Sequence, residues 1–389
     1  MQHSLAYYNR VARILRPLAG LYLKTKFRFQ KTELPELPET FLLISNHVTN
    51  YDALSVSYLT KRTIFYVATE HIFSLGRISK LIEDLVAPIP RPKGGQAAGA
   101  VMEILRRLKE GGSVGLFAEG NCSWDGLTAS FIPSTGKMVR AAGVPLVTVR
   151  IRGGYFAYPR WAYTARKGPV SLEVTHIVQP EELKKMKPAE INELIADGIR
   201  EDAYGTRKEF GTRYPGKRLA EGLENGFFVC PRCRSFDTLR TKGSGFSCSC
   251  GLKGCYDELG QLTMEGADLT TLKEWNAWQQ EYLASLPVSE LPTAEDTGMK
   301  LMKIDGHERS QAAEGDLTMD AQTFRLGDFS VPVADIVSLD VRLRGTVSFL
   351  TRDGGYYEIK TLKKKGRYRG RKYQLLYQRL QKEKEASSV

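Results

Sequence analysis

No apolar run in this 389-residue chain approaches the ~20 residues that a membrane-spanning helix needs, so a helical span is not expected. The N-terminus also lacks a secretory-signal pattern, because Arg10, Arg13 and Arg16 interrupt what would be its apolar region. The expectation is a cytoplasmic protein. Internal repeats and low-complexity tracts are missing as well, which argues against solenoid and disordered architectures. Cysteine is scarce outside one stretch: five of the six lie between 230 and 255. A disulfide-stapled secreted scaffold would be shorter and would spread its cysteines, so metal binding is the better reading. Acidic residues fall short of basic ones, 44 against 56, which leaves a net charge of +12. Such a surface suits an anionic partner, either nucleic acid or an anionic membrane, and charge does not choose between them.

What is present is enough for more than one core. Single cores rarely grow past ~250–300 residues, and 42% apolar residues supply ample material for two. Composition and pattern divide the chain into residues 1–30, an amphipathic helical segment; 31–225, an α/β domain; 226–258, a cysteine-bearing ribbon; 259–295, a helical linker; and 296–389, a small antiparallel β domain with a C-terminal helix.

In the first segment Tyr8, Val11, Leu15, Leu18 and Tyr22 recur at helical spacing, with Arg10, Arg13, Arg16 and Lys24 on the other side. Such a helix lies in a lipid interface or covers the domain's core. Pro17 predicts a kink or two short pieces. From 41 to 178, expected strands (41–45, 63–69, 113–117, 144–151, 170–176) alternate with expected helices (51–60, 96–110, 134–142), the last with Ser134-Thr135 as N-cap. Continuous apolar strands alternating with helices predict an α/β sheet buried on both faces. Residues 181–225 read as largely helical, and 267–285 as a helix before a proline-bearing linker. Short alternating strands are expected over roughly 297–362, then a helix over 373–380.

Cys230 and Cys233, then Cys248 and Cys250, form two short knuckles fourteen residues apart, with Cys255 nearby as an alternative ligand. Two facing knuckles make a tetrahedral thiolate site, and Zn²⁺ is the expected structural ion, since four thiolates leave no open position for catalysis.

The chemistry-bearing segment is Asn46-His47-Val48-Thr49-Asn50-Tyr51-Asp52, directly after the apolar run 41–44. A histidine near a carboxylate at a strand's end offers a proton acceptor and a group to orient it, where open α/β sheets bind ligands. By itself the spacing is weak. A second apolar run, 113–117, also stops at an acidic residue followed by glycine, Glu119-Gly120, with Asn121, Cys122 and Ser123 after it. Two polar constellations at two strand ends suggest one site.

In order and spacing, these segments resemble the glycerolipid acyltransferase family of lysophosphatidate acyltransferases. Asn46, His47 and Asp52 match its first motif; Ile89-Pro90-Arg91, with Lys93 close by, its second; Phe117, Glu119, Gly120 and Ser123 its third; Val144-Pro145-Leu146-Val147 its fourth. The resemblance covers roughly residues 40–150. It implies a mixed, mostly parallel sheet flanked by helices, with His47 as general base and Asp52 as orienter. It further implies a substrate site drawn from Asn46, Arg91, Lys93, Glu119, Gly120, Ser123 and Lys137. The donor would be acyl-CoA or acyl-carrier protein, the acceptor a lysophospholipid, and the working place an anionic membrane surface, peripheral on the inner face of the cell membrane. It also implies direct transfer without an acyl-enzyme, so Cys122 and Ser123 need not be nucleophiles, and Cys122 reads as a packed thiol. The third motif departs from the family: Ala118 stands for proline, Asn121 for threonine and Cys122 for the arginine assigned to the acceptor's phosphate. Lysophosphatidate, another lysophospholipid or a glycolipid hydroxyl all stay open as acceptor.

Two rival readings exist. A nucleic-acid-binding zinc-ribbon protein would account for charge and cysteines but leaves His47, Asp52 and 117–123 unexplained, with no stacking platform. An inactive acyltransferase fold that only binds lipid is disfavoured by the presence of both His47 and Asp52.

Overall fold

The computed structural model describes residues 3–30, 33–68, 73, 77–90, 97–306, 308–362 and 368–386. The chain divides into two compact units: residues 1–160 with 165–216, and residues 161–164 with 217–389.

The first unit begins with helix α1 (Leu5–Lys26), followed by β1 (Arg28–Phe29), β2 (Leu42–Ser45), α2 (Asp52–Thr60), β3 (Ile64–Ala68), α3 (Arg77–Val86), β4 (Ile89–Pro90), α4 (Ala97–Lys109) and β5 (Ser113–Phe117). After these come α5 (Ser134–Ala142), β6 (Leu146–Arg152), α6 (Gly154–Ala157), β7 (Pro169–Val178), α7 (Pro180–Lys185), α8 (Pro188–Ile199) and α9 (Ala203–Phe210). Among the described residues, seven strands form one sheet in the order β1-β7-β6-β2-β5-β3-β4. Only the β6–β7 pair is antiparallel; all the others are parallel. The sheet is thus mixed and mostly parallel, flanked by helices. Its core joins Leu42, Ile44, Phe65, Val114 and Leu146 from strands to Tyr8, Ile104, Val139, Ile191 and Ile195 from helices.

Strand β2 fixes where the segment 46–52 leaves the sheet. Leu42, Leu43 and Ile44 are wholly buried, each worth about 1.5–3 kcal/mol relative to an exposed side chain. In register, Ser45 pairs with Phe117 of β5 and Val149 of β6. Because parallel neighbours end on the same side, residues after Ser45 and after Phe117 emerge side by side.

Three local expectations are corrected. First, α1 runs unbroken through Pro17. Pro17 and Arg13 are both exposed, so the Arg13 carbonyl that a proline leaves unpaired faces water. Second, that helix buries Tyr8, Gly20 and Leu23, whereas Leu18 and Tyr22, expected on the same apolar face, are 63% and 46% exposed. Gly20 is where α1 meets α2, since a Cβ there would lie 2.2 Å from the Tyr58 ring. Third, Ser134 does not cap α5: Pro133 takes helical angles and the cap position. The Gly136 amide is met instead by Asn192 Oδ1 of α8 at 2.8 Å, and Asn192 Nδ2 donates to the Pro133 carbonyl at 2.7 Å.

The second unit holds β8 (Leu239–Lys242), β9 (Gly245–Cys248), β10 (Lys253–Tyr256), β11 (Leu262–Met264), α10 (Leu272–Ser285), β12 (Ala294–Asp305) and β13 (Glu308–Met319). It ends with β14 (Thr323–Leu326), β15 (Phe329–Pro332), β16 (Ile336–Arg342), β17 (Thr346–Thr351), β18 (Tyr356–Thr361) and α11 (Gly370–Ala386). Strands β8 to β11 make a four-stranded antiparallel sheet in the order β11-β10-β9-β8; the other seven are ordered β15-β14-β13-β12-β18-β17-β16, again antiparallel. The long β12–β13 hairpin exceeds the short strands expected there. In β13 the exposed Ser310, Gln311, Ala312 and Glu314 leave no apolar alternation to read.

Candidate functional site

The first turn of α2 carries Asp52, 2% exposed, and the chain from 46 to 51 wraps back over its carboxylate. Asp52 Oδ2 accepts from the Val48 amide at 2.7 Å, the Thr49 amide at 2.9 Å and the His47 ring at Nδ1, 2.8 Å. Thr49 Oγ1 donates to Oδ1 at 2.6 Å. A carboxylate surrounded by donors acts as acceptor, so Nδ1 carries a proton, and whenever the ring is neutral its lone pair is at Nε2. The His47 side chain is 20% exposed and therefore reachable. Phe117 at the end of β5 stacks on the ring, 4.4 Å between centroids at 19°, and Tyr66 of β3 stacks on Phe117 at 5.6 Å.

Burial disfavours the imidazolium of His47. The Cys122 sulfur and the Asp52 carboxylate, on either side of the ring, outweigh that effect and raise its pKa well above the ordinary 6.5.

The β5 loop meets the β2 loop through the backbone. Glu119 Oε1 accepts from the His47 amide and Oε2 from the Ala129 amide, both at 2.6 Å. Burial pushes the Glu119 carboxyl up to about 7, against the pull of those two amides. Ala129 also lines an open cavity of about 420 Å³ bordered by Phe131, Asn192, Ala196, Ile199 and Arg200. One carboxylate thus ties the His47 backbone to the wall of that cavity. Gly120 turns the chain at φ 73°, a left-handed conformation that glycine adopts without strain. Its amide donates back to Phe117.

The remaining residues singled out by sequence are spread between the core, the loops and the surface. Asn46 is wholly buried, and its amide clasps both backbone groups of Ile151: Nδ2 donates to the carbonyl at 3.0 Å and Oδ1 accepts from the amide at 2.7 Å. It extends the β2–β6 ladder by one side chain. Ser123 Oγ donates to Asp125 and accepts from the Gly126 amide, while the Ser123 amide donates to the His47 carbonyl at 2.9 Å. Lys137 sits on the exposed side of α5. Arg91 and Lys93 lie outside the described residues.

Some participants have no sequence signal. Arg160, buried, donates from its guanidinium to the Cys122 carbonyl at 2.9 Å and lies 4.1 Å over the Trp124 ring. Cys122, expected only to pack, places Sγ 3.4 Å from His47 Nε2. Thr49 is legible in principle, as a hydroxyl three residues before Asp52.

In the second unit Cys230, Cys233, Cys248 and Cys250 converge, their sulfurs all within 4.8 Å of one another. Cys255 is not in that group. The contacts Cys230–Cys250 at 3.8 Å and Cys233–Cys248 at 3.7 Å match the edge of about 3.8 Å of a tetrahedron with metal–sulfur bonds of about 2.3 Å. These four cysteines can hold a metal ion. The tight second knuckle closes through Gly251 at φ 89°, whose amide donates to the Cys248 carbonyl. The first is braced by α10: Gln279 Oε1 accepts from the Phe228 and Val229 amides, and Trp275 donates to the Val229 carbonyl.

The structure thus sets a histidine and the carboxylate that holds its ring at the carboxyl end of a mostly parallel sheet, where α/β folds bind ligands. Residues 26–152 match the family model described as Acyltransferase, so this stretch of the chain is an acyltransferase domain. No curated protein matches the chain. Among solved structures it is similar to the 1-acyl-sn-glycerophosphate acyltransferase PlsC from Thermotoga maritima, at 22% identity and a TM-score of 0.41, over 54% of this chain and 81% of that one.

Proposed function

We propose that this acyltransferase moves a fatty acyl group from a thioester donor, acyl-CoA or acyl-carrier protein, to the hydroxyl of a lysophosphatidate-like lipid, with His47 as general base. The observation that carries the reading is the Asp52-anchored Nδ1, which leaves Nε2 of the partly exposed His47 ring as the proton acceptor. An acceptor hydroxyl gives its proton to Nε2 as its oxygen bonds to the thioester carbonyl carbon. The carbon–sulfur bond then breaks, and the departing thiolate takes the proton from the imidazolium. Asp52 holds the ring's tautomer and stabilises its charged form during that cycle. Glu119 and Gly120 shape the loop beside the base, and Arg91, Lys93 and Lys137 are the cations offered to an acceptor phosphate.

Lipid substrates call for a membrane surface. On α1, Ile14, Leu18 and Leu21 are 62%, 63% and 69% exposed at helical spacing, with Arg10 and Arg13 beside them. That stripe suits shallow insertion under anionic headgroups, at up to about 1 kcal/mol per cation, peripheral to the inner face of the cell membrane. No helix among the described residues is long and apolar enough to cross a membrane. The ion held by the four cysteines is assigned as structural zinc, because a closed four-thiolate set fits Zn²⁺; Cys255 is not required.

The test is acyl transfer from palmitoyl-CoA and palmitoyl-acyl-carrier protein to a panel of lysolipids, beside His47→Ala. Transfer that persists in His47→Ala overturns the base assignment; no transfer by the wild type from either donor overturns the reading.

A further inference from the structure

One hydrogen bond does not fix the plane of an imidazole. The bond between His47 Nδ1 and Asp52, at 2.8 Å, sets where one ring atom lies but lets the ring rock about it. The direction of Nε2 therefore depends on what lies against the faces of the ring. Phe117 meets one face, 4.4 Å away between centroids and 19° from parallel. Phe117 is itself half-buried at the last position of β5, where the backbone leaves the sheet, and so needs backing of its own. Tyr66 supplies it, with its ring 5.6 Å from that of Phe117 and 9° from parallel. Tyr66 lies within β3 and is in register with Gly115 of β5. Its ring covers Gly115 so closely that a Cβ there would lie 2.4 Å from Cε1 and 2.6 Å from Cδ1. The missing side chain is what lets the tyrosine lie flat toward Phe117, the next residue along the same strand face. At the far end of the ring, Ser57 Oγ is 3.4 Å from the phenol oxygen. Ser57 belongs to α2, the helix whose first turn carries Asp52. Tyr66 thus stands between the support of the histidine and the helix of its carboxylate.

We propose that Tyr66 is a positioning residue for the base: through Phe117 it holds the His47 ring in the plane that points Nε2 at the acceptor hydroxyl. This rests on the acyl transfer proposed above and deepens it. Tyr66 touches no reacting atom in this role. Its flat face does the holding, and neither its hydroxyl nor its bulk alone would replace that face. Removing the backing lets Phe117 turn and the imidazole follow, and a misplacement of about 1 Å at a reacting atom is enough to cost about 10²-fold in rate. The same stack serves both states of the ring. A neutral imidazole stacks on an aromatic face, and the imidazolium is drawn to the negative face of the ring system. The support is therefore kept when the proton arrives.

The experiment pairs kinetics with NMR of the full-length protein, isotope-labelled at the Cε1 position of histidine. With five histidines in the chain the spectrum is simple, and His47→Gln identifies the signal of His47. That signal is expected upfield of its free-peptide position, because the ring lies over the face of Phe117. Tyr66→Met keeps an apolar side chain but has no flat face. Tyr66→Phe keeps the face and drops the hydroxyl, and Gly115→Ala pushes a methyl into the Tyr66 ring. In Tyr66→Met and Gly115→Ala the His47 signal should move downfield. With palmitoyl-CoA and the lysolipid that the wild type uses, kcat should fall at least about tenfold while KM stays within about threefold. Tyr66→Phe should match the wild type in signal and rate. A wild-type His47 signal in Tyr66→Met overturns the proposal, as does a displaced signal with unchanged kcat. Losses of equal size in Tyr66→Phe assign the effect to the hydroxyl and overturn it as well. Should Tyr66→Met fail to fold, Gly115→Ala carries the test on the same readouts. A wild type that transfers to no lysolipid sinks the acyl-transfer reading, and the His47 signal still decides whether Tyr66 sets the ring.

Discussion

The histidine site and the cysteine cluster are both spelled by short spacings in the sequence, yet they are held in opposite ways. His47 and Asp52 are fixed by groups already present in the chain: two amides, a hydroxyl, a clasp by Asn46 and a carboxylate from the neighbouring strand's loop. The site is complete without a ligand. The four cysteines bring their sulfurs to tetrahedral spacing but offer one another little attraction, the arrangement that a bound ion would stabilise. Preorganisation by backbone suits a group that must change protonation state in each cycle, whereas ligation suits a group that only has to hold.

The contrast breaks first, and by the largest margin, at the metal. Structural zinc sites bind with about 10–16 kcal/mol, comparable to or larger than the whole stability of a typical domain, about 5–15 kcal/mol. Cys230→Ser with Cys233→Ser, or a strong chelator, should therefore remove about one zinc per chain. Amide protection should collapse over residues 226–256 and persist over 42–52, which elemental analysis and hydrogen exchange would read. Equal loss at both places would mean that the two sites are not held independently.

Next in size is the proposed base. His47→Ala should lower kcat/KM by about 10²–10⁴-fold, and Asp52→Asn should approach the upper end of that range by permitting the wrong tautomer. Melting temperature should fall more for Asp52→Asn, because an amide cannot accept from both neighbouring amides, the hydroxyl and the ring. Steady-state rates and thermal unfolding separate the two effects. A histidine variant with near-normal rates would move the chemistry elsewhere.

Legibility in the sequence depends on where the forces act. Strand and helix order in the first unit can be read because fully buried runs such as 41–45 and 113–117 show in composition alone. His47, Asp52 and Glu119 can be read from spacing and family order. Features that escape such reading depend on contacts across many residues. Arg160 reaches Cys122 from a loop beyond β6, and nothing in its surroundings marks it. Asn192 replaces Ser134 as the cap of α5 because Pro133 itself adopts helical angles. The exposed second stripe on α1 is invisible to periodicity, which sees an apolar residue but not which side the core lies on. The place of Cys122 is hidden for a related reason: only the register of Ser45 with Phe117 brings its loop against the histidine.

Asn46 gives a middle-sized test. Asn46→Ala would strand the buried amide and carbonyl of Ile151, at about 1–3 kcal/mol for each group. A lower melting temperature with a preserved pH profile is expected, marking a residue that holds the strand end and not the reacting atoms. A changed acceptor preference at unchanged stability would instead return Asn46 to the substrate.

The smallest effect concerns titration. In the proposed role of base His47 must be neutral, and its pKa is raised well above 6.5 because the flanking sulfur and carboxylate outweigh burial. Activity should thus be low at acidic pH and climb through an acid limb whose midpoint lies above 6.5, levelling once the ring has lost its proton. Each raising neighbour can be removed separately. Asp52→Asn should carry the residual activity's limb to lower pH, and Cys122→Ala should do the same at its opposite ring nitrogen. The sign comes from linkage: whatever favours the imidazolium delays its deprotonation to higher pH, so deleting it brings the limb down. A limb that stays in place in both variants would assign it to another group, with Glu119, pushed to about 7 by burial, as the next to replace by glutamine.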